Sequence, residues 1–306
     1  MPELPEVQTT VSGIQKHVTG LKIIDIWTNY NSPYFKGKNN IKDPVFFDYF
    51  KKNVINSKIQ KAERRGKNIL IHLNNQHTIL IHMKMTGHVM YGEYIKTSDK
   101  KDPWKAVHPG PLRDDSFNSR IRFVLTLSNK KHLVLSDMRR FAKVTIIHTP
   151  SLLESSHVNE LGLEPLDKNF TEKIFLEKVL LKPKSPIKQV LMDQSLIVGI
   201  GNIYSDEILW SSSVHPNSKS KNIPRDKISL MYKNMKKLLQ KGIDFGGDSM
   251  SDYRNIHGEK GSFQNEHNVY KRKGQKCKKS GCVGVIERKI IGGRSAHFCP
   301  THQKLY

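Results

Sequence analysis

The first six residues, Met1-Pro2-Glu3-Leu4-Pro5-Glu6, put a proline directly behind the first methionine and two carboxylates close to it. A small second residue lets Met1 be cleaved, which exposes the secondary amine of Pro2. An α-amino group titrates near ~7.7–8, so a useful fraction is neutral and nucleophilic at neutral pH. A lysine amine, near ~10.4, needs a large shift to match it. The proline nitrogen can attack a sugar C1′ and give an iminium, and Glu3 is placed to move a proton at the same centre. The same residues also make an ordinary helix start, with proline in the first turn and glutamates favoured by the helix dipole. Spacing alone leaves both readings open.

Three further groups have the residue types for chemistry or binding. Cys277-x4-Cys282 and Cys299-x2-His302 form two ligand pairs separated by 16 residues, the pattern of a closed tetrahedral Zn²⁺ site. His297 competes with His302 for the fourth place, and three plain thiols without metal is the alternative. An odd number of cysteines within 23 residues is a poor disulfide framework. Glycines leading to Asn202 in GIGNIYSDEIL (199–209) offer backbone N–H groups to a phosphate, or else form a simple inter-helix turn. Met85 reads locally as a core methionine in a strand-rich stretch.

Elements must position these groups. Leu4, Val7, Val11, Ile14 and Val18 make one apolar stripe on a helix over 3–18. Segments 21–27, 67–73, 77–83, 121–127 and 142–148 are rich in Ile, Val and Leu, and several alternate with polar residues. Without helices between them, they predict an antiparallel sandwich or barrel. Residues 92–118 are polar and carry Pro and Gly, so they read as a long loop. Helical periodicity takes over near Pro150, in 151–162, 172–181, 187–196, 205–212 and 226–242. The fold class expected is α+β, with three consecutive domains: 1–149, a sandwich carrying the N-terminal helix; 150–264, helical; and 265–306, the cysteine module. Residues 266–304 hold ten Lys/Arg and two Asp/Glu, the densest positive stretch.

The chain of 306 residues has 51 Lys and Arg against 28 acidic residues, a net charge of +23. That excess predicts a polyanionic partner, nucleic acid first among them. A solvated lysine-rich surface is the alternative. No run approaches the roughly 20 apolar residues of a membrane span, and the N-terminus has neither a basic nor an apolar signal region, so a soluble intracellular protein is expected.

MPELPEV at the start of the chain resembles the signature of formamidopyrimidine-DNA glycosylases and their endonuclease VIII relatives. RRGKNIL (64–70), HMKMTGH (82–88), DMRRFAK (137–143), LGLEPL (161–166), KSPIKQVLMDQSLIVGIGNIYSDEIL (184–209), and VYKRKGQKC (269–277) with GRSAHFCPTH (293–302) are similar to the family's segments in the family's order. The resemblance therefore spans nearly the whole chain. It implies a bifunctional DNA glycosylase and abasic-site lyase of base excision repair, acting on oxidised purines (8-oxoguanine, formamidopyrimidines) through a Schiff base on Pro2 and nicking by β,δ-elimination. The residues implied for catalysis are Pro2, Glu3, Lys67 and Arg294. Those implied for DNA binding are Met85, Arg139, Phe141, Lys184, Asn202 and Tyr204.

In that reading Asn202, its neighbouring amides and Lys67 hold the strand beside the lesion. Met85 fills the hole left by an extruded nucleotide, Phe141 wedges the opposite stack and Arg139 bonds the orphaned base. Arg294 falls on the finger's hairpin, where the family's arginine touches phosphate. The implied cofactor is one structural Zn²⁺ on Cys277, Cys282, Cys299 and His302, where the family usually has four cysteines. Lys84 also departs from the family, which usually has glycine before this methionine. The implied partner is double-stranded DNA with a damaged base or abasic site. The protein is expected to be a monomer of bacterial type, cytoplasmic and nucleoid-associated, with no membrane partner. The loop over the flipped base is expected at 213–224 or 247–262. The alternatives are an endonuclease VIII-type enzyme for oxidised pyrimidines and a non-catalytic protein that binds damaged DNA.

Overall fold

The computed structural model describes residues 1–30 and 32–306. Contacts divide the chain into two compact units: Met1–Asn159 with Phe245–Ser262, and Glu160–Asp244 with Phe263–Tyr306. Three consecutive segments are the expectation from sequence; in the structure Phe245–Ser262 belongs with the first unit. The cause is local. Tyr91 N–H donates to the Ile256 carbonyl at 2.8 Å, Arg254 Nε donates to Asp115 at 2.6 Å, and Gly13 leaves room for the Ile256 side chain.

The first unit opens with α1 (Leu4–His17) and β1 (Ile23–Thr28), followed by α2 (Pro44–Val54). Then come β2 (Ile59–Arg65), β3 (Asn68–Leu73), β4 (His77–His82), β5 (His88–Gly92), β6 (Tyr94–Lys96) and β7 (Trp104–Ala106). A short α3 (Pro111–Asp114) precedes β8 (Ile121–Leu127), β9 (His132–Ser136) and β10 (Lys143–His148). Two antiparallel sheets, ordered β1-β8-β9-β5 and β10-β4-β3-β2, form the sandwich. Alternation decides which face is inside. Ile69, Ile71, Ile79, Ile81, Val144 and Ile146 share one core with Phe123, Leu125, Leu133 and Leu135, and the stripe Val7, Val11, Ile14 and Val18 of α1 packs into it.

Each sheet also has its outer face covered, and both covers depart from expectation. Residues 92–118 are not a bare loop. The β6–β7 hairpin and α3 put Tyr94, Ala106 and Leu112 over Met90, Val124 and Val134. Residues 151–162 are not a helix but successive turns closed by i→i−3 hydrogen bonds, Leu152 to Thr149 and Val158 to Ser155. They seat Leu152 and Val158 on Leu70 and Leu80. Packing of two apolar residues onto the sheet there outweighs a weak helical pattern. The helix α2 is a further difference. It was legible in Asp43-Pro44, since the Asp43 side chain accepts from Val45 N–H at 2.9 Å and Pro44 takes the first helical position.

The second unit holds α4 (Glu172–Leu180), α5 (Ile187–Met192), α6 (Asn202–Ser211) and α7 (Arg225–Asp244), then the hairpin β11 (Glu287–Ile291) and β12 (Arg294–Phe298). Among the described residues no helix is long and apolar enough to cross a membrane.

Candidate functional site

The first unit collects its candidate residues at the start of α1 and at three turns. Pro2 and Glu3 are buried immediately before the helix. Glu6, also buried, accepts the Glu3 backbone N–H at 2.7 Å through Oε2 and the Asp248 backbone N–H at 2.7 Å through Oε1. Tyr253 Oη donates to the Glu6 carbonyl at 3.0 Å. Gly247 (φ 87°) lies so close that a Cβ there would meet Glu6 Cγ at 2.9 Å. One carboxyl group thus joins the Pro2–Glu3 backbone to the 247–249 segment. Burial, then the negative charge of Glu3, push its pKa up to about 7, although two N–H donors pull the other way.

Lys67 lies in the two-residue turn between β2 and β3, beside Gly66 (φ 57°), and is mostly buried. Met85 sits at the tip of the turn from Met83 to Gly87, which is closed by Gly87 N–H donating to the Met83 carbonyl at 3.1 Å. A Cβ on Gly87 would lie 2.4 Å from that carbonyl oxygen, so glycine is required there. Lys84, the departure from the family pattern, has φ 55°. This left-handed conformation is what glycine adopts freely and a lysine adopts at a cost. Lys84 N–H donates to His82 Nδ1 at 3.0 Å, and burial with nearby Lys84 and Lys67 holds the His82 pKa down to about 3, so its ring stays neutral.

In the loop after β9, Arg139 lies over the Phe141 ring, 4.7 Å from Cζ to the centroid, and Arg140 between them is also left-handed (φ 57°). Met85 and Phe141 are large apolar side chains left at 38% and 50% exposure while the core around them is sealed. Met138, also at 50%, precedes Arg139 in the same loop and was not singled out in the sequence.

The second unit gathers the others around α6. Gln194 organises the turn before it, accepting from Gly199 N–H at 2.9 Å and donating to the Ile200 carbonyl at 2.8 Å. Asn202 opens α6, and its Nδ2 donates to Ser295 Oγ at 3.2 Å. That contact sets Asn202 next to Arg294, which is exposed at the head of β12. The β11–β12 turn is Gly292-Gly293, both with positive φ (57° and 73°), as a two-residue hairpin of this hand demands. Lys184 is exposed. Tyr204 is fully buried: its ring stacks on Phe263 with centroids 4.9 Å apart and fills the space left by Gly242. Its side chain is core packing.

Cys277, Cys282, Cys299 and His302 bring three sulfurs and a ring nitrogen within 4.8 Å of one another, so this group could hold a metal ion. Cys282 Sγ and Cys299 Sγ are 3.6 Å apart, and Cys277 Sγ and His302 Nδ1 3.4 Å. Zinc–sulfur bonds of ~2.3 Å at tetrahedral angles give an edge of about 3.8 Å, so the donors fit such an ion. The outer contacts agree. Trp210 Nε1 donates to Cys277 Sγ at 3.3 Å, and its carbonyl lies 2.9 Å from His302 Nε2, which leaves Nδ1 for the cluster. His297, the competing ligand, is engaged elsewhere, with Nδ1 3.1 Å from Asp206 Oδ2. Asp206 also pairs with the buried Lys188, so α5, α6 and β12 meet at one carboxylate. The neighbouring Glu207 accepts the backbone N–H groups of Asn268, Val269 and Tyr270 at 2.9–3.0 Å. Neither Asp206 nor Glu207 stood out in the sequence; two acids in mid-helix gave no sign of burial.

Two domain profiles match the chain: the formamidopyrimidine-DNA glycosylase N-terminal domain over 1–144 and the formamidopyrimidine-DNA glycosylase H2TH domain over 161–254. The chain is 33% identical over 305 residues to a formamidopyrimidine-DNA glycosylase of Pelotomaculum thermopropionicum, covering 100% of both chains. Among solved structures, Lactococcus lactis Fpg in complex with abasic-site DNA superposes with a TM-score of 0.81 at 30% identity, covering 99% of each chain. The wild-type Lactococcus lactis protein with DNA containing N7-benzyl-Fapy-dG gives 0.80 at 30% identity, covering 99% of this chain and 100% of that one.

Proposed function

Because the chain belongs to the formamidopyrimidine-DNA glycosylase family, we propose that it excises oxidised purines, 8-oxoguanine and formamidopyrimidines, from duplex DNA and nicks the strand as an abasic-site lyase. The observation that carries this reading is the start of α1, where Pro2 and Glu3 are buried together and fixed through Glu6.

With Met1 removed, the Pro2 nitrogen bonds to C1′ as the glycosidic bond breaks; the base leaves with the electron pair and takes up the proton that the Pro2 nitrogen gives up, which restores the nitrogen lone pair. The nitrogen lone pair then opens the sugar ring. Glu3 delivers a proton to the departing O4′, leaving an iminium at C1′. Loss of a C2′ proton expels the 3′ phosphate, and a second elimination expels the 5′ phosphate. Lys67 in the first unit, and Asn202, Lys184 and Arg294 in the second, hold phosphates and position the strand. Tyr204 serves this by packing α6 against Phe263 and Gly242. Met85, Arg139 and Phe141 replace the extruded nucleotide in the stack. Of the two candidate lesion loops we take 247–262, because Asp248 N–H donates to Glu6 beside Pro2 and Glu3. Cys277, Cys282, Cys299 and His302 hold one Zn²⁺, which supplies a structural cross-link. The protein works as a monomer in the cytoplasm, at the nucleoid.

Borohydride trapping on abasic duplex DNA tests the reading. Correctly processed protein should give a covalent adduct. A form that keeps Met1 should fall at least about 10³-fold, as expected when a nucleophile is lost, while still binding DNA. No adduct from processed protein would sink the lyase assignment. Zinc should measure one per chain and fall in His302→Ala.

A further inference from the structure

We propose that Asp137 is the positioning residue of the wedge, its carboxylate fixing how Met85, Arg139 and Phe141 are presented together. This rests on the wedge roles given above. Asp137 is fully buried just after β9. Oδ1 accepts from the Thr86 hydroxyl at 2.6 Å, and Oδ2 accepts from the Tyr30 hydroxyl at 2.7 Å and the Ala142 backbone N–H at 2.8 Å. Thr86 follows Met85 in the chain, and Ala142 follows Phe141. The Thr86 oxygen accepts in turn from the Arg139 backbone N–H at 3.1 Å. Its single hydrogen is committed to Asp137, so its lone pairs face Arg139. The direction of the whole chain of bonds depends on an acceptor at residue 137.

A carboxylate with no exposed surface is costly unless charge-assisted hydrogen bonds compensate it. Here the compensating donors come from Tyr30 just after β1, the Met85 turn and the 138–142 loop. Burial and Asp137 also hold the Tyr30 pKa well above its usual value, so Tyr30 keeps its proton and stays a donor. On the far side of the loop, Lys42 Nζ donates to the Arg140 carbonyl at 2.7 Å and lies over the Tyr30 ring. The two turns each carry a non-glycine residue in the left-handed region, Lys84 and Arg140. Strain of this kind persists only where surroundings over-determine it, and Asp137 joins both turns.

Asp137→Asn turns one acceptor oxygen into a donor that faces donors. In the full-length protein, single-turnover excision from lesion duplex should fall about 10–100-fold, the scale of one charge-assisted hydrogen bond. Trapping on a single-stranded abasic oligonucleotide, which has no stack to fill, should stay within about twofold on the same reasoning. A 2-aminopurine opposite the lesion should lose its fluorescence rise on binding. That optical signal reads wedge insertion whether or not chemistry follows, so failure of the proposed activity and failure of this inference are separable. Thr86→Val, which removes the relay and keeps Asp137, should move the same readouts in the same direction and guards against misfolding of the first variant. Equal losses on duplex and single strand would mean that Asp137 only holds the fold. Unchanged excision and fluorescence on duplex would mean that it does not position the wedge. Either outcome overturns the proposal.

Discussion

Glu6 in the first unit and Glu207 in the second are both buried glutamates in helices, and both gather backbone N–H groups from a segment far along the chain. Glu207 accepts from three consecutive residues, 268–270, and fastens the approach to the cysteine cluster. Glu6 joins Glu3 to Asp248 with a second carboxylate close by. Three backbone donors converge on Glu207. Glu6 has two, and its burial, then the Glu3 charge beside it, push its pKa up to about 7. The part of the molecule closest to the proposed chemistry is held by a carboxyl group whose protonation changes near neutral pH.

The largest test of this contrast is Glu207→Ala. It leaves several buried N–H groups without an acceptor and should cost about 3 kcal/mol or more in the second unit. Urea unfolding followed at Trp210, which packs beside the cluster, measures it; a loss below about 1 kcal/mol would remove the contrast. Next is pH. The Glu6 pKa in the folded protein, about 7, lies above its unfolded value of 4.5, so the folded state binds the proton more tightly. The contribution is fully present below pH 4.5 and is lost as pH rises through 7, a fall of about 3 kcal/mol over the window. Glu6→Gln should flatten that slope between pH 5 and 7.5, and an unchanged slope would assign the titration elsewhere. The smallest effect is Lys84→Gly. Relief of the left-handed lysine is worth about 1–2 kcal/mol, and the added freedom of the unfolded chain takes back about 0.4–1. A net gain of 0 to about 1.5 kcal/mol in thermal unfolding follows from that difference, and a loss would show that Lys84 makes contacts worth more than its strain.

Much of this was legible in the sequence because periodicity and turn chemistry report local geometry. The stripe Leu4–Val18 gave α1, the alternating Ile and Val gave the sheet faces, and Cys277, Cys282, Cys299 and His302 fell together as their spacing suggested. What stayed hidden depends on partners distant in sequence. Asp137, Asp206 and Glu207 look like surface acids until their donors are in place. β2 carries few apolar residues, and a shift of register between Ile59 and Lys61 interrupts its alternation. The resemblance names Tyr204 for DNA binding, and the sequence does not show that its ring is buried: Gly242, 38 positions on, opens the space that it fills.

The return of Phe245–Ser262 to the first unit has a consequence for synthesis. Glu6 receives the Asp248 N–H, and Tyr91 N–H its Ile256 carbonyl, only after residues 160–244 have been made. At ~5–20 residues per second, a nascent chain spends about 5–20 s between the end of the sandwich and the arrival of its last piece. During that interval the first unit lacks the segment that supplies the Asp248 N–H to Glu6. Translation order thus makes completion of the first unit one of the last steps of synthesis, and both Glu6 oxygens are engaged only once residue 248 has been made.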